Sequence, residues 1–321
     1  MRIVPALLAS TTLFAASQAS AIEVAASIKP VHSLVSAVME GVGTPSLIVS
    51  STGSEHAYSL KPSEAQALDS ANVVFFVGHG METFLEKPLE TLAADAKVVA
   101  LEDLSGIEKL PFREGGPFEA HKHEEHEHEE HEGEDHAHAH DADEHADHAF
   151  DLHFWLDPVN AKAITDGIAD ALAEADPANA ERYRANAEAY GQRLDELTTE
   201  LTATLAPVKG KPFIVFHDAY QYFETRFGLT AAGSITVNPE VAPGAQRVGE
   251  IQAKVRELGV TCVFSEPQFE PKLVDTVIEG SGARTGVLDP LGSALADGPD
   301  LYPQLLRDLA NSLKSCLSQE S

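Results

Sequence analysis

The sequence has few basic residues. It contains 22 lysines and arginines against 51 aspartates and glutamates, which gives a formal net charge of −29. Nucleic acids and anionic membrane surfaces also carry negative charge, so they are poor partners for this chain, whereas cations are favoured partners. Long apolar runs are also lacking. No stretch reaches the ~20 residues that a membrane-spanning helix needs.

The first 21 residues have the composition of an export signal. Arg2 supplies the positive start, residues 3–16 form a mostly apolar run, and Ala19-Ser20-Ala21 is a small-residue cleavage site. We therefore expect residues 1–21 to be a signal peptide and the mature chain to begin at Ile22. Because no cysteine lies near this site, we expect a periplasmic protein without a lipid or membrane anchor.

Only two cysteines are present, Cys262 and Cys316. In an exported chain this pair favours a disulfide, since the compartment is oxidising. A thiolate metal site is the alternative, but oxidation would remove its ligands. The loop that the disulfide would close is worth about 4 kcal/mol of stability in the chain-entropy model.

About 300 residues follow the signal, a length typical of two domains. Short apolar runs alternate with segments of helical periodicity in both halves, which predicts α/β units with mainly parallel sheets. The predicted strands of the two halves are 23–28, 46–49, 73–77 and 98–101, then 213–216, 261–265 and 285–288. The predicted helices, apart from the long one below, are 31–39, one opening at Pro62, 81–93, 159–175, 246–258, 272–280 and 302–317.

One long helix is predicted between the two halves, over residues 176–207. Asp176 and Pro177 are typical of a helix start, and apolar residues then recur at spacings of three and four until Pro207. Such a helix is roughly 40 Å long. We interpret it as a rigid connector between an N-terminal lobe, 22–175, and a C-terminal lobe, 208–321, which limits how far the lobes can open.

Residues 119–148 differ sharply in composition from the rest of the chain. They contain 13 acidic residues, one lysine and ten of the 15 histidines. A segment with so little apolar surface cannot offset its ordering entropy, so we expect a disordered loop. Imidazole is the usual nitrogen ligand of zinc, so we expect this loop to act as an auxiliary collector or sensor that binds zinc weakly. The residues concerned are His121, His123, His126, His128, His131, His136, His138, His140, His145 and His148. A solvating acidic spacer is the alternative.

Three of the five remaining histidines are interpreted as lying at a strand end or in a loop after a strand, where open α/β sheets place their binding sites. They are His56, His153 and His217. Imidazole is the usual nitrogen ligand of zinc, and three of them leave one position for a carboxylate or water. Carboxylates in comparable loop positions, as fourth ligands or as partners that hold an imidazole, are Glu55, Glu266 and Asp289. The other two histidines, His32 and His79, are interpreted as structural.

The sequence around these histidines resembles the ZnuA family, the periplasmic zinc-binding subunits of ABC importers. The resemblance covers essentially the whole mature chain. The motifs that carry it are SIKP at 27–30, EHAYSLKPS at 55–63, HFWLDP at 153–158, FHDAY at 216–220, SEPQF at 265–269 and LDPLG at 288–292.

This resemblance implies two α/β lobes joined by one long helix, with zinc in the cleft between them. His56 and His153 would come from the first lobe and His217 from the second, with Glu55, Asp289 or water in the fourth position. A histidine at position 217 favours zinc over manganese, since manganese members usually carry a carboxylate there. The two cysteines match the disulfide of zinc members. The implied partner is an inner-membrane ABC permease, and a monomer is the expected state.

Two other functions are compatible with three histidines. A zinc enzyme could use them with an open coordination position, but the sequence has neither an HExxH motif nor a nucleophile elbow, so we expect no enzymatic activity. A periplasmic zinc buffer would bind the ion without a transporter.

Overall fold

The structure is a computed structural model that describes residues 22–49, 53–113, 118, 150–236 and 238–318. The predicted signal peptide, 1–21, and the histidine-rich loop, 119–148, lie outside the described residues, and so do the ten loop histidines.

The first half forms a four-stranded parallel sheet in the order β2-β1-β3-β4. Its central strand β3 carries two valines and two phenylalanines, all buried. Pairing aligns Ala25 of β1 with Val74 of β3. The strands are β1 (Val24–Ala26), β2 (Ser46–Leu47), β3 (Val73–Phe76) and β4 (Lys97–Ala100), and the helices are α1 (Lys29–Val38), α2 (Pro62–Ser70), α3 (Thr83–Leu92) and α4 (Pro158–Ala175).

The second half repeats this design with a parallel sheet in the order β6-β5-β7-β8. Its elements are β5 (Phe213–His217), α6 (Gln221–Phe227), β6 (Gly233–Thr236), α7 (Ala245–Glu257), β7 (Cys262–Ser265), α8 (Lys272–Ile278), β8 (Arg284–Val287) and α9 (Leu301–Ser318). The prediction missed α6 and β6. The first has only seven residues, and the second begins with glycine and carries two hydroxyl side chains, so neither shows a clear period.

The long connecting helix is confirmed as α5 (Ala180–Leu205), with a 3₁₀ turn at each end. Its 26 residues correspond to about 39 Å. One stripe of α5 is buried, from Tyr183 to Leu205. The helix packs against α1 and α4 of the first half and against α9 of the second half, so it is held along its length by both lobes.

Contacts between the lobes are extensive at α1, whose ten residues are all buried. Ser33 Oγ donates to the carbonyl of Gly298 at 2.7 Å. Trp155 Nε1 donates to the carbonyl of Pro290 at 3.1 Å, and Tyr302 OH donates to the carbonyl of Trp155 at 2.6 Å. These bonds hold α9 and the segment before it against the N-terminal lobe.

The expected disulfide is confirmed. Cys262 and Cys316 are bonded, with their Cα atoms 6.1 Å apart, so the bridge joins the start of β7 to the end of α9. In the part of the chain that the structure describes, no helix combines the length and hydrophobicity needed to cross a membrane.

Candidate metal centre

Four side chains bring a potential metal-binding atom to one point between the lobes. They are Glu55, His56, His153 and His217, and their ligand atoms all lie within 4.8 Å of one another. All three histidines that the sequence predicts are therefore in one group. Glu55, one of the candidate carboxylates, completes it.

The fold explains why these distant residues meet. Glu55 and His56 lie in the connection between β2 and α2, His153 directly precedes a 3₁₀ turn, and His217 is the last residue of β5. The segments of His56 and His217 reach the cleft where parallel strands end, which is the usual ligand position in open α/β sheets, and the segment before α4 brings His153 to the same point. Asp157 then starts α4, because its carboxylate accepts a hydrogen bond from the Val159 amide at 2.9 Å.

The distances suit one small ion. Glu55 Oε1 lies 4.0 Å from His56 Nε2, 3.9 Å from His153 Nε2 and 3.9 Å from His217 Nε2. The Nε2 atoms of His153 and His217 are 3.3 Å apart. A tetrahedral zinc ion with bonds of about 2.0–2.1 Å places its ligand atoms about 3.4 Å apart. Glu55 would therefore have to approach the imidazoles by roughly half an ångström, and separations of up to 4.8 Å within the group would have to shorten further.

Two ligand candidates are oriented by a carboxylate behind them. Asp151 Oδ1 lies 2.7 Å from His153 Nδ1, and both Glu266 oxygens lie 2.8 Å from His217 Nδ1. An imidazole that donates through Nδ1 keeps the Nε2 lone pair free for a metal. Both rings therefore present Nε2 to the centre of the group.

Two atoms at the centre lack a hydrogen-bond partner although they are buried, namely Glu55 Oε1 and His56 Nε2. Leaving a buried polar atom unpaired is unfavourable by about 1–3 kcal/mol. Both atoms are potential metal ligands, and they face the same point. A bound cation would satisfy both, so the residues fit a metal ion.

The electrostatics of the group are those of a buried site with competing charges. Burial raises the pKa of Glu55 to about 7, while the His217 imidazole acts in the opposite direction. Burial disfavours the charged form of His217, but the Glu266 carboxylate outweighs it and raises the pKa of His217 to about 9. Burial lowers the pKa of His56 well below its usual value. A metal ion would therefore displace a proton from His217 at neutral pH.

Asp289, the other candidate for the fourth position, is not in the group of four. Its carboxylate accepts hydrogen bonds from the backbone amides of Leu291 and Gly292 at 3.0 Å and of Ser293 at 2.6 Å. Gln268 Nε2 also donates to it at 2.8 Å. These bonds hold the turn after β8.

The two histidines interpreted as structural also lie outside the group. His32 Nε2 is 3.0 Å from the carbonyl of Pro45, and His79 Nδ1 is 3.0 Å from Glu102 Oε1. Sequence reasoning missed Asp151 as a partner of His153, although the two are separated by a single residue. Glu266, predicted as a carboxylate near the site, is the partner of His217.

Two parallel-sheet lobes, one long connecting helix and an interlobe group of three imidazoles and a carboxylate define a metal-binding solute receptor. The family model described as ZnuA, zinc-uptake complex component A, periplasmic, matches residues 24–316. The chain belongs to the ZnuA family, as its motifs indicate, and this family consists of transport components, not of enzymes.

The relatives and solved structures agree with this assignment. The chain is 63% identical over 306 residues to a high-affinity zinc uptake system protein ZnuA of Brucella suis, covering 92% of each chain. It is 38% identical over 294 residues to the protein of the same name in Yersinia pestis, covering 92% of this chain and 91% of the relative. A crystal structure of ZnuA superposes with a TM-score of 0.73 at 25% identity, covering 92% and 99% of the two chains.

Proposed function

We propose that this chain captures Zn²⁺ with high affinity in the periplasm and delivers it to the inner-membrane permease of an ABC importer. The observation that carries this proposal is the convergence of three Nε2 atoms and one carboxylate oxygen within 4.8 Å. A set rich in imidazole nitrogen suits zinc, whereas Mn²⁺, Mg²⁺ and Ca²⁺ prefer more oxygen ligands. Zinc is here the transported ion.

His56, His153, His217 and Glu55 would be the four zinc ligands. Glu55 is favoured over Asp289 because Glu55 Oε1 is buried and unpaired, whereas the Asp289 carboxylate already accepts several hydrogen bonds. Asp151 and Glu266 would hold two of the imidazoles in place. Nanomolar affinity, which suits uptake of a scarce ion, corresponds to about −12 kcal/mol.

The remaining parts of the chain have proposed roles that rest on the sequence and on its resemblance to the ZnuA family. Residues 1–21 would direct export, and the ten histidines within 119–148 would collect additional zinc weakly near the cleft. The N-terminal lobe would comprise 22–175, the connecting helix 176–207 and the C-terminal lobe 208–321. The protein would act as a monomer.

The first test is a zinc titration by calorimetry with a competing chelator. The mature chain, the chain lacking 119–148, and His217→Ala in the shortened chain are compared. We expect the shortened chain to keep one tight site. His217→Ala should weaken it by more than the roughly 10–100-fold expected for loss of an outer-shell partner, because a nitrogen ligand itself is lost. His79→Ala is the matched control, since His79 is an exposed histidine outside the group.

Loss of the tight site together with residues 119–148 would contradict the cleft assignment and favour a zinc buffer. Unchanged binding by His217→Ala would also contradict it. Delivery is tested separately, by whether the purified protein stimulates zinc-dependent ATP hydrolysis of the importer in lipid vesicles. If the zinc-loaded protein does not stimulate ATP hydrolysis, the chain binds zinc but does not deliver it to this importer.

A further inference from the structure

One arginine of the N-terminal lobe is enclosed by two carboxylates of the C-terminal lobe. Arg113 Nη1 and Nη2 donate to the two oxygens of Glu224 at 2.8 and 3.1 Å. Its Nε donates to Asp218 Oδ2 at 3.2 Å, and Nη2 also contacts Asp218 Oδ1. The carboxylate side chains are only 6% and 3% exposed. This is a buried, forked ion pair across the lobe boundary.

The short helix α6, which carries Glu224, makes two further contacts with the N-terminal lobe. Tyr222 OH accepts a hydrogen bond from the Leu110 amide at 2.9 Å and donates to the carbonyl of Asp151 at 2.6 Å. Arg226 donates to both oxygens of Asp157, at 2.7 and 2.6 Å. Alternate residues of one helix therefore hold the opposite lobe by three polar contacts.

These contacts end on the segments that carry two zinc-ligand candidates. Asp218 directly follows His217 at the end of β5. Asp151 accepts hydrogen bonds from the backbone amide and the Nδ1 of His153, at 2.9 and 2.7 Å. The distance of 3.3 Å between the two Nε2 atoms is a distance between lobes, so it depends on how the lobes are held together at this point.

Arg113 is suited to fix that distance. A guanidinium is planar and donates in a rigid fork, so it orients two carboxylates more strictly than an ammonium group can. Removing it would leave the buried Asp218 and Glu224 carboxylates facing each other without a counter-charge, an arrangement that is strongly unfavourable. The strain would be relieved by movement of Asp218, and with it of the neighbouring His217.

We infer that Arg113 is a positioning residue for zinc, which holds the His217 segment at the correct distance from the His153 segment through Asp218 and Glu224. Arg113 does not touch the ion itself. This inference rests on the proposed function, because it assumes that zinc binds between these two imidazoles.

The test compares Arg113→Met with Arg307→Met in the full mature chain. Arg307 is a matched control, since it forms a forked pair with Glu200 at 2.9 and 2.8 Å on the exposed surface. The first readout is zinc affinity in competition with a chelator. We expect Arg113→Met to bind zinc about 10–100-fold more weakly, Arg113→Lys to recover part of the loss, and Arg307→Met to match the parent.

The second readout is the visible absorption spectrum of the Co²⁺-loaded proteins, which reports ligand geometry and not stability. We expect Arg113→Met to change the intensity and position of the bands, and Arg307→Met to leave them as in the parent. A folded Arg113→Met protein with parental zinc affinity and a parental Co²⁺ spectrum would overturn the inference. If Arg113→Met does not fold, Arg113→Lys and Tyr222→Phe are judged by the same two criteria.

Failure of the proposed function would look different. In that case the parent protein would bind zinc weakly, or as well without the His217 imidazole as with it. Failure of the present inference alone would leave tight, His217-dependent zinc binding in the parent and the same binding in the Arg113 variants.

Discussion

Two imidazoles of the cleft are oriented by carboxylates that lie at very different distances from them along the sequence. Asp151 is two residues from His153, so that contact forms within one turn of chain. Glu266 is 49 residues from His217 and reaches it only because β5 and β7 are neighbours in the sheet. The orientation of His217 therefore depends on the folding of the whole C-terminal lobe.

This dependence predicts the effect of Glu266→Gln. The amide cannot provide the negative charge that supports a metal-bound imidazole, so zinc affinity should fall about 10–100-fold. The measurement is calorimetric titration with a competing chelator. Glu250→Gln is the control, because Glu250 is exposed on α7, and it should bind zinc as the parent does. Parental affinity in Glu266→Gln would show that hydrogen bonding alone orients His217.

The buried carboxylate of Glu82 is expected to make the stability of the fold depend on pH. Glu82 is fully inaccessible, and its Oε2 accepts hydrogen bonds from the amides of Val77 and Gly78 at 2.7 and 3.2 Å. Burial raises the pKa of Glu82 to about 8. Between pH 4.5 and 8 the folded state therefore keeps a proton that the unfolded state has lost, so this group makes folding less favourable as pH rises through that window.

Glu82→Gln should remove this penalty, since the amide is neutral at every pH. We expect the variant to exceed the parent in unfolding free energy by about 3 kcal/mol at pH 7, with the difference shrinking towards zero near pH 4.5. Urea unfolding of both proteins across this range measures it. Glu90→Gln, at an exposed position of helix α3, which Glu82 directly precedes, is the control. A difference that does not vary with pH would contradict the assignment of a protonated Glu82.

The sequence allowed the three histidines to be predicted because His56 and His217 lie at or after the ends of parallel strands, and because all three lie in motifs that resemble those of the ZnuA family. It did not allow a choice between Glu55 and Asp289, since both occupy similar loop positions. That difference lies in hydrogen bonding. The Asp289 carboxylate accepts bonds from its own turn, whereas Glu55 Oε1 is left unpaired. Neither hydrophobic periodicity nor residue spacing shows which carboxylate will accept hydrogen bonds from nearby backbone amides.

At the scale of elements, the strands and long helices were predicted to within a few residues because most of them bury a clear apolar pattern. The missed pair, α6 and β6, is informative. Helix α6 has seven residues, too few to show an amphipathic period, and its polar residues Glu224 and Arg226 are used in contacts between the lobes. These contacts depend on tertiary position, so sequence periodicity could not reveal them.

The disulfide lies at the end of β7 opposite to Glu266, so its effect on stability can be separated from its effect on zinc binding. Cys262 is the first residue of β7, whereas Glu266 follows the opposite end of the strand. The double variant Cys262→Ala and Cys316→Ala should lose about 4 kcal/mol of unfolding free energy and keep its zinc affinity. Denaturant unfolding and zinc titration test this on the same samples, with the oxidised parent as control. A tenfold loss of affinity would show that the bridge also shapes the cleft.

At the scale of the whole molecule, α5 is only one of the connections between the lobes. Lys29 of α1 is buried and donates to the carbonyls of Ser293 and Leu295 at 3.3 and 2.7 Å. Tyr190 of α5 donates to the carbonyl of Pro299 at 2.9 Å. The sequence predicted limited opening from the long helix alone. The hydrogen bonds to the segment before α9 reinforce this limit, and they join residues more than 100 positions apart.

Wide opening of the cleft would break these partly buried bonds together, and each contributes about 0.5–1.5 kcal/mol. Zinc binding should therefore change the distance between the lobes very little. Fluorescent labels at Asp69→Cys on α2 and Arg256→Cys on α7, both exposed positions, measure that distance by energy transfer with and without zinc. Lys29→Met, which removes one buried connection, should broaden the distance distribution of the metal-free protein. A large shift on zinc addition to the parent would show that the lobes close on the ion by a hinge motion.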